Sequence, residues 1–424
     1  MIFNMQVHLA YGRNGLTLDL PYSFDVVRTK FIPGLPDEKA ALEEALRCPI
    51  GSTPLREKVK SGDKIVIAHS DITRATPNDR IMPVLLGELE EAGVKKDNIL
   101  LLNALGTHRL QTEDELRKML GGFIVDHFRC VQHNAWEDDN LVFMGKTSLG
   151  HPVRINRHYL EADVRILTGF IEPHFFAGFS GGPKGVLPAL AGAESVVTNH
   201  GWEMVAHPMA TWGVREGNPI WEEMCEVALR TNPTFLMNVT LNASRQITGV
   251  FAGDMLAAHA VGCDFVKDQA MITLEKPYDI VLTTNSGYPL DQNLYQCVKG
   301  MSAAGRIVRE GGVIVMAAGC EDGIPEHGGY AELLRRAGSP QGILDMLAQP
   351  GFSSHDQWQV QIQAGIQLRA DVYVYSDGLS EDQIREALFI PCRDLVDTLA
   401  KLRLRYGPRI CVLPEGPQTI PTLC

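Results

Sequence analysis

The residues with the most chemical content fall in a few short stretches of this sequence. The densest runs from Gly169 to Gly185, GFIEPHFFAGFSGGPKG. Ser180, Gly181 and Gly182 offer backbone N–H groups unshielded by large side chains, which suits a phosphate or other anion. Lys184 adds a cation or a nucleophilic amine. GxxxxGK[ST] is absent, so this is not a Walker A loop. A flexible turn before a helix is the plain alternative. His174 lies in the same stretch, between Pro173 and Phe175-Phe176. Its imidazole titrates near neutral pH and suits acid or base work, or it is a hydrogen-bonded structural histidine. His108, in GTHR, carries the same two readings. An enzyme that inverts a stereocentre needs a base on each face of its substrate, so the two histidines mean more together than apart.

Four further groups add to this set. His200, in TNHG, stands sixteen residues after Lys184. Imidazole is a common ligand of nickel and other late transition metals, but one histidine holds a metal weakly unless a cofactor brings more ligands. Asp71-Ile72-Thr73-Arg74-Ala75-Thr76-Pro77 combines an acid, hydroxyls and a guanidinium. Arg74 suits a bidentate grip on a carboxylate, and Asp71 and Thr73 suit hydroxyls of a substrate or ribose. Loop capping by Asp and Thr is the alternative. Gln292, Gln296 and Lys299 fall at i, i+4 and i+7, one helix face, with Tyr295 beside them. They close over an anionic substrate or form a solvated face. Trp358 and His355 lie in a glutamine-rich stretch, where an aromatic packs on a flat ligand or serves the core.

The elements that position these groups follow an alternating grammar. An opening hairpin is expected from the alternation of Val7, Leu9 and Tyr11, then Leu16, Leu18 and Leu20. Apolar runs at 64–68, 98–105 and 164–168 read as buried strands. Each ends in one of the loops above, carrying Asp71, His108 or His174. Helices are expected at 81–91 and after Ala191, and Thr112 with Glu115 forms a capping box. The stretch 263–278 reads as a connection. Strands are then expected at 279–284, 312–318, 371–375 and 409–413, with a helix at 291–309. This is an α/β chain of two domains with mostly parallel sheets and an active-site cleft between them. The first domain takes residues 1–265 and the smaller second domain 266–424, the last ~20 residues suiting either. Ligands in such sheets gather beyond the carboxyl ends of the strands.

Composition narrows the function. The net charge of -12 argues against nucleic-acid binding, which needs a basic face. No apolar run is long enough to span a membrane, and the N-terminus does not read as a secretory signal. Nine scattered cysteines without a CxxC pair argue against a disulfide framework or structural zinc site, and point to a reducing cytoplasm.

Taken together, SDITRATP, GTHR, EPHFFAGFSGGPKG, TNHG, LYQCVKG and Trp358 resemble the lactate racemase family over almost the full chain. The resemblance implies racemisation or epimerisation of a 2-hydroxy acid by reversible hydride transfer from C2. It implies a nickel-pincer nucleotide, a pyridinium mononucleotide bearing a thioamide and a thiocarboxylate. That group would be covalently linked to Lys184 and made by separate cofactor-biosynthesis enzymes. His200 matches the nickel ligand, and His108 and His174 the paired acid/bases. Arg74, Gln296 and Lys299 match substrate-orienting positions, and Trp358 joins the substrate side. Asp71, Thr73, Ser180, Gly181, Gly182 and Tyr295 fall where cofactor contacts are expected. Competing readings are a two-domain hydroxy-acid sensor and a conventional hydrolyase or dehydrogenase. The latter lacks a GxGxxG motif and clustered zinc ligands.

Overall fold

A computed structural model describes residues 4–326 and 328–424. The chain divides into two compact units. One takes residues 31–199 and 207–268; the other takes residues 1–30, 200–206 and 269–424. Both are α/β, built on mostly parallel sheets.

The first unit carries six strands: β1 (Ile65–Ser70), β2 (Ile99–Ala104), β3 (Arg129–Gln132), β4 (Val164–Phe170), β5 (Phe235–Leu241) and β6 (Ile247–Gly253). Their order is β6-β5-β4-β1-β2-β3. All pairs are parallel except β5 with β6. The central strands are apolar almost throughout because helices cover both faces of a parallel sheet. On one side, Ile81, Leu85 and Leu89 of the helix Asn78–Glu91 pack against Ile65, Ile67, Leu101 and Ile166. From β1 the chain winds outward through β2 and β3, then returns to β4 on the other side of β1. That reversal lies between β1 and β4, and the carboxyl ends of strands at such a reversal are the usual place for a ligand.

The second unit holds β7 (Tyr278–Thr284), β8 (Val308–Ala317), β9 (Asp371–Tyr375), β10 (Ile390–Pro391) and β11 (Ile410–Leu413). They lie in the order β10-β9-β8-β7-β11, all parallel, with Asp25–Val26 as the outer strand. The expected hairpin forms between Met5–Leu9 and Leu16–Leu20. Its inward residues Val7, Leu9, Leu18 and Leu20 share one core with Ile280, Leu282 and Val412.

Three expectations need correction. Residues 1–30, read with the first domain, belong to the second unit. Their hairpin has one apolar face, and the strand Asp25–Val26 pairs with β11. The last residues stay with that unit too, because Ile420–Leu423 pairs with Met271–Leu274. The division falls at 268/269, close to the expected 265/266. The stretch read as a connection from 263 is instead the end of a helix, Met255–Ala270, followed by the strand Met271–Leu274. The buried side of that helix runs Met255, Ala258, His259, Gly262, Cys263 and Val266, so small and polar residues interrupt the apolar stripe that announces a helix. Finally, the helix expected at 291–309 is Leu294–Gly305, capped by Asn293, whose Oδ1 accepts from the Gln296 amide at 3.1 Å. Gln292 therefore precedes the cap and does not share a helix face with Gln296 and Lys299.

Candidate active site

In the first unit the three candidate loops leave neighbouring strands. Asp71 follows β1, His108 lies four residues after β2, and His174 follows β4. Adjacency of β4, β1 and β2 brings all three to one edge of the sheet, at the topological reversal.

Asp71 is buried, and its two oxygens divide their work. Oδ1 accepts from the Thr73 amide at 3.1 Å and from the Thr73 hydroxyl at 2.6 Å. Oδ2 lies 2.5 Å from His108 Nδ1. The carboxylate thus fixes the His108 ring, with Nδ1 as donor and Nε2 facing away, the arrangement of an oriented acid/base imidazole. Burial pushes the Asp71 carboxyl up, but the His108 charge and hydrogen bond, followed by Arg74 and Thr73, outweigh it and hold the group down at about 2. Asp71 and Thr73, expected to meet a ribose or hydroxyl, are engaged with each other and with His108. Arg74 is half-buried near this carboxylate. Among the described residues its guanidinium forms no ion pair. Arg109 is different: it makes a bidentate pair with Glu115 at 2.6 and 2.8 Å.

His174 sits on a short hairpin in which Pro173 and His174 pair with Phe179 and Gly178. The ring is buried, with Phe175 and Phe176 centroids 4.9 and 4.6 Å away. The Ala177 amide donates to Nδ1 at 3.3 Å, which leaves Nε2 as the protonated nitrogen of the neutral ring. Lys184 occupies a 3₁₀ turn, Gly182–Gly185, with Nζ 5.7 Å from the Phe176 centroid. His174 and Lys184 thus contact the same aromatic ring.

The Ser180–Gly182 loop differs from the expected open cradle. The Ser180 amide donates to Glu172 O at 2.9 Å, and the Ser180 hydroxyl to Phe170 O at 2.9 Å. The Gly182 amide donates to Asn238 Oδ1 at 2.8 Å. A Cβ on Gly181 would lie 2.5 Å from Asn238, and one on Gly182 2.5 Å from the His259 ring. These glycines let the loop rest on two buried polar side chains, so two of its three amides are already used. Asn238 and His259 were missed in the sequence. The available signal was an amide side chain inside the otherwise β-forming strand FLMNVTL and a histidine inside a largely apolar helix.

The second unit gathers His200, Tyr295 and Trp358. The His200 and Trp358 rings meet edge to face at 5.2 Å, and Trp358 Nε1 donates to Tyr295 Oη at 3.2 Å. The glutamine-rich stretch is a helix, Gln357–Arg369, whose first four glutamines are buried and tie segments together. Gln357 donates to His200 O at 3.4 Å, Gln361 to Trp202 O at 3.0 Å, and Gln359 to Tyr295 O. Gln296 and Lys299 are half-buried on the helix that bears Tyr295.

Among the described residues, no three His, Cys, Asp or Glu side chains group to hold a metal. The first unit supplies an amine at Lys184 and a guanidinium at Arg74, which suit an anionic group; the second unit supplies an imidazole at His200, which alone holds a metal only when a cofactor brings the other ligands.

Comparison with known proteins agrees with this architecture. The lactate racemase N-terminal domain matches residues 11–213, and the lactate racemase C-terminal domain residues 273–420. The lactate racemase of Thermoanaerobacterium thermosaccharolyticum is 35% identical over 425 residues, covering 98% of each chain. That of Lactiplantibacillus plantarum is 39% identical over 385 residues, 89% of this chain and 90% of that one. The structure of the lactate racemase apoprotein from Thermoanaerobacterium thermosaccharolyticum superposes with a TM-score of 0.91 at 34% identity, over 98% of this chain and 100% of that one. A Thermotoga maritima protein, at 19% identity and a TM-score of 0.72 over 93% of this chain and 100% of that one, shares the fold.

Proposed function

Since the chain belongs to the lactate racemase family, we propose that it inverts C2 of lactate or a related 2-hydroxy acid, with His108 and His174 as paired acid and base. It is an isomerase of the racemase class. One observation carries the finer reading: two imidazoles, each fixed through Nδ1, follow the strands on either side of β1 at the same end of one sheet.

In this reading Lys184 and His200 would hold a nickel-pincer nucleotide, which would supply the acceptor for the C2 hydride. His108 Nε2 takes the hydroxyl proton while Asp71 stabilises the resulting imidazolium. His174 enters this step as an imidazolium, its Nδ1 freed from the Ala177 amide, and its Nε2 protonates the oxygen when the opposite enantiomer forms; the roles exchange in reverse. Arg74 holds the substrate carboxylate bidentately, and Gln296 and Lys299 are proposed as further substrate-orienting residues. Phe175 and Phe176 keep water from His174. The nine free thiols suit a reducing cytoplasm, where the enzymes that make the nucleotide would be partners. No described helix is long and apolar enough to cross a membrane.

The test is co-expression with those enzymes, then intact mass, metal analysis and a chiral assay over a panel of 2-hydroxy acids. The expected result is a Lys184 adduct, stoichiometric nickel and interconversion of enantiomers. An unmodified chain that binds hydroxy acids without turnover would identify a sensor instead.

A further inference from the structure

The helix Met255–Ala270 runs beneath the loop that follows β4. A Cβ on Gly262 would lie 2.3 Å from Ile171, so helix and loop start are in close contact. One turn earlier, His259 is 1% exposed and places Nε2 2.8 Å from Ser180 O. A carbonyl only accepts, so Nε2 carries the proton and Nδ1 is an acceptor. Cys263, four residues on, sets Sγ 3.3 Å from Nδ1 and donates its S–H there. Burial holds the imidazole neutral, down at about 4, and raises the Cys263 thiol, so both stay in the forms this chain of bonds needs. Trp221 stacks on the ring at 5.1 Å and 20°.

The carbonyl that His259 holds is a junction. Ser180 follows Phe179, which pairs with Pro173 across the hairpin bearing His174. It precedes the turn Gly182–Gly185 bearing Lys184. The Gly182 amide is pinned separately by Asn238. An apolar side chain would fill the same volume, yet the helix spends a buried imidazole there, with its tautomer set by Cys263.

We propose that His259, with its tautomer set by Cys263, is a positioning residue that fixes the loop carrying His174 and Lys184. This rests on reading that loop as catalytic, but its test is independent of turnover. In the full chain without cofactor, the lysines are acylated with N-hydroxysuccinimide acetate. Labelling of Lys184 is then quantified against the exposed Lys60 and Lys267 by mass spectrometry. His259→Leu removes the donor, and the Lys184 ratio should rise about five-fold, the factor one net hydrogen bond carries. His259→Gln restores an N–H at the position of Nε2 and should stay within about two-fold of the native ratio. Cys263→Ala should raise the ratio by an intermediate amount. An unchanged ratio in His259→Leu, or the same rise in His259→Gln, would overturn the proposal. If His259→Leu does not fold by circular dichroism, an unchanged ratio in Cys263→Ala overturns it. A missing lysine adduct or absent racemisation would instead count against the function proposed above.

Discussion

Asp71→Asn removes a charge at nearly constant volume and tests the role of His108. Burial opposes ionisation of Asp71, yet its carboxyl falls from 3.8 to about 2, with His108 the largest lowering influence. A shift of nearly two units corresponds to about 2.5 kcal/mol. Solvent at His108, 37% exposed, screens part of this, leaving about 2 kcal/mol or roughly 30-fold. An Asn amide also presents a donor to Nδ1 and favours the wrong tautomer, as in other carboxylate–imidazole pairs. In a chiral assay of the loaded enzyme, kcat/KM should fall at least about 30-fold. The fall must be equal in both directions, because enantiomers have an equilibrium constant of unity. In a His108→Ala background the same change should cost little, since coupled residues are not additive. A fall under about three-fold, or additive losses in the double variant, would refute the pairing.

Stability should decline on acidification. His69, His133 and His259 are held neutral by burial, each down at about 4 from 6.5. A base with a depressed folded value contributes fully above 6.5 and loses that contribution as pH falls towards 4. Urea unfolding at pH 5 against pH 7.5 should show about 2 kcal/mol lost per histidine, and an unchanged midpoint would contradict this. Arg74→Lys keeps the charge but not the fork, so kcat/KM should fall about 30-fold, and an intact value would show that no carboxylate is held there. Glu223 is buried and accepts from the Thr147 hydroxyl at 2.6 Å, His151 Nδ1 at 2.8 Å and Asn199 Nδ2 at 2.8 Å. Glu223→Gln turns one acceptor into a donor and should cost about 1–3 kcal/mol in denaturant unfolding, with less than about 0.5 kcal/mol contradicting it.

The strands that carry the site were legible because β1, β2 and β4 are short apolar runs ending in polar loops. The candidate residues in those loops could therefore be grouped before any pairing was known. The pairing of His108 with Asp71 was not legible. It depends on β1 lying beside β2, a contact between residues 37 apart in sequence. The Ser180–Gly182 loop looked like an open anion cradle because glycine type alone does not say what the backbone approaches. Here it approaches Asn238 and His259 of the protein itself. The helices Met255–Ala270 and Gln357–Arg369 hid for a related reason. Their buried faces mix His, Cys, Gly and Gln with apolar residues, and the polar ones are satisfied by hydrogen bonds that no local pattern reveals. The opening hairpin was recognisable by alternation, but which core takes its apolar face is a long-range fact.

The most direct test of the two-base account is the rate at which His108→Ala and His174→Ala, loaded to equal nickel content, interconvert the enantiomers of the best substrate. Both should lose at least about 100-fold in turnover, the usual contribution of a positioned acid or base, while the Lys184 adduct is retained. Near-native racemisation by either variant would contradict it.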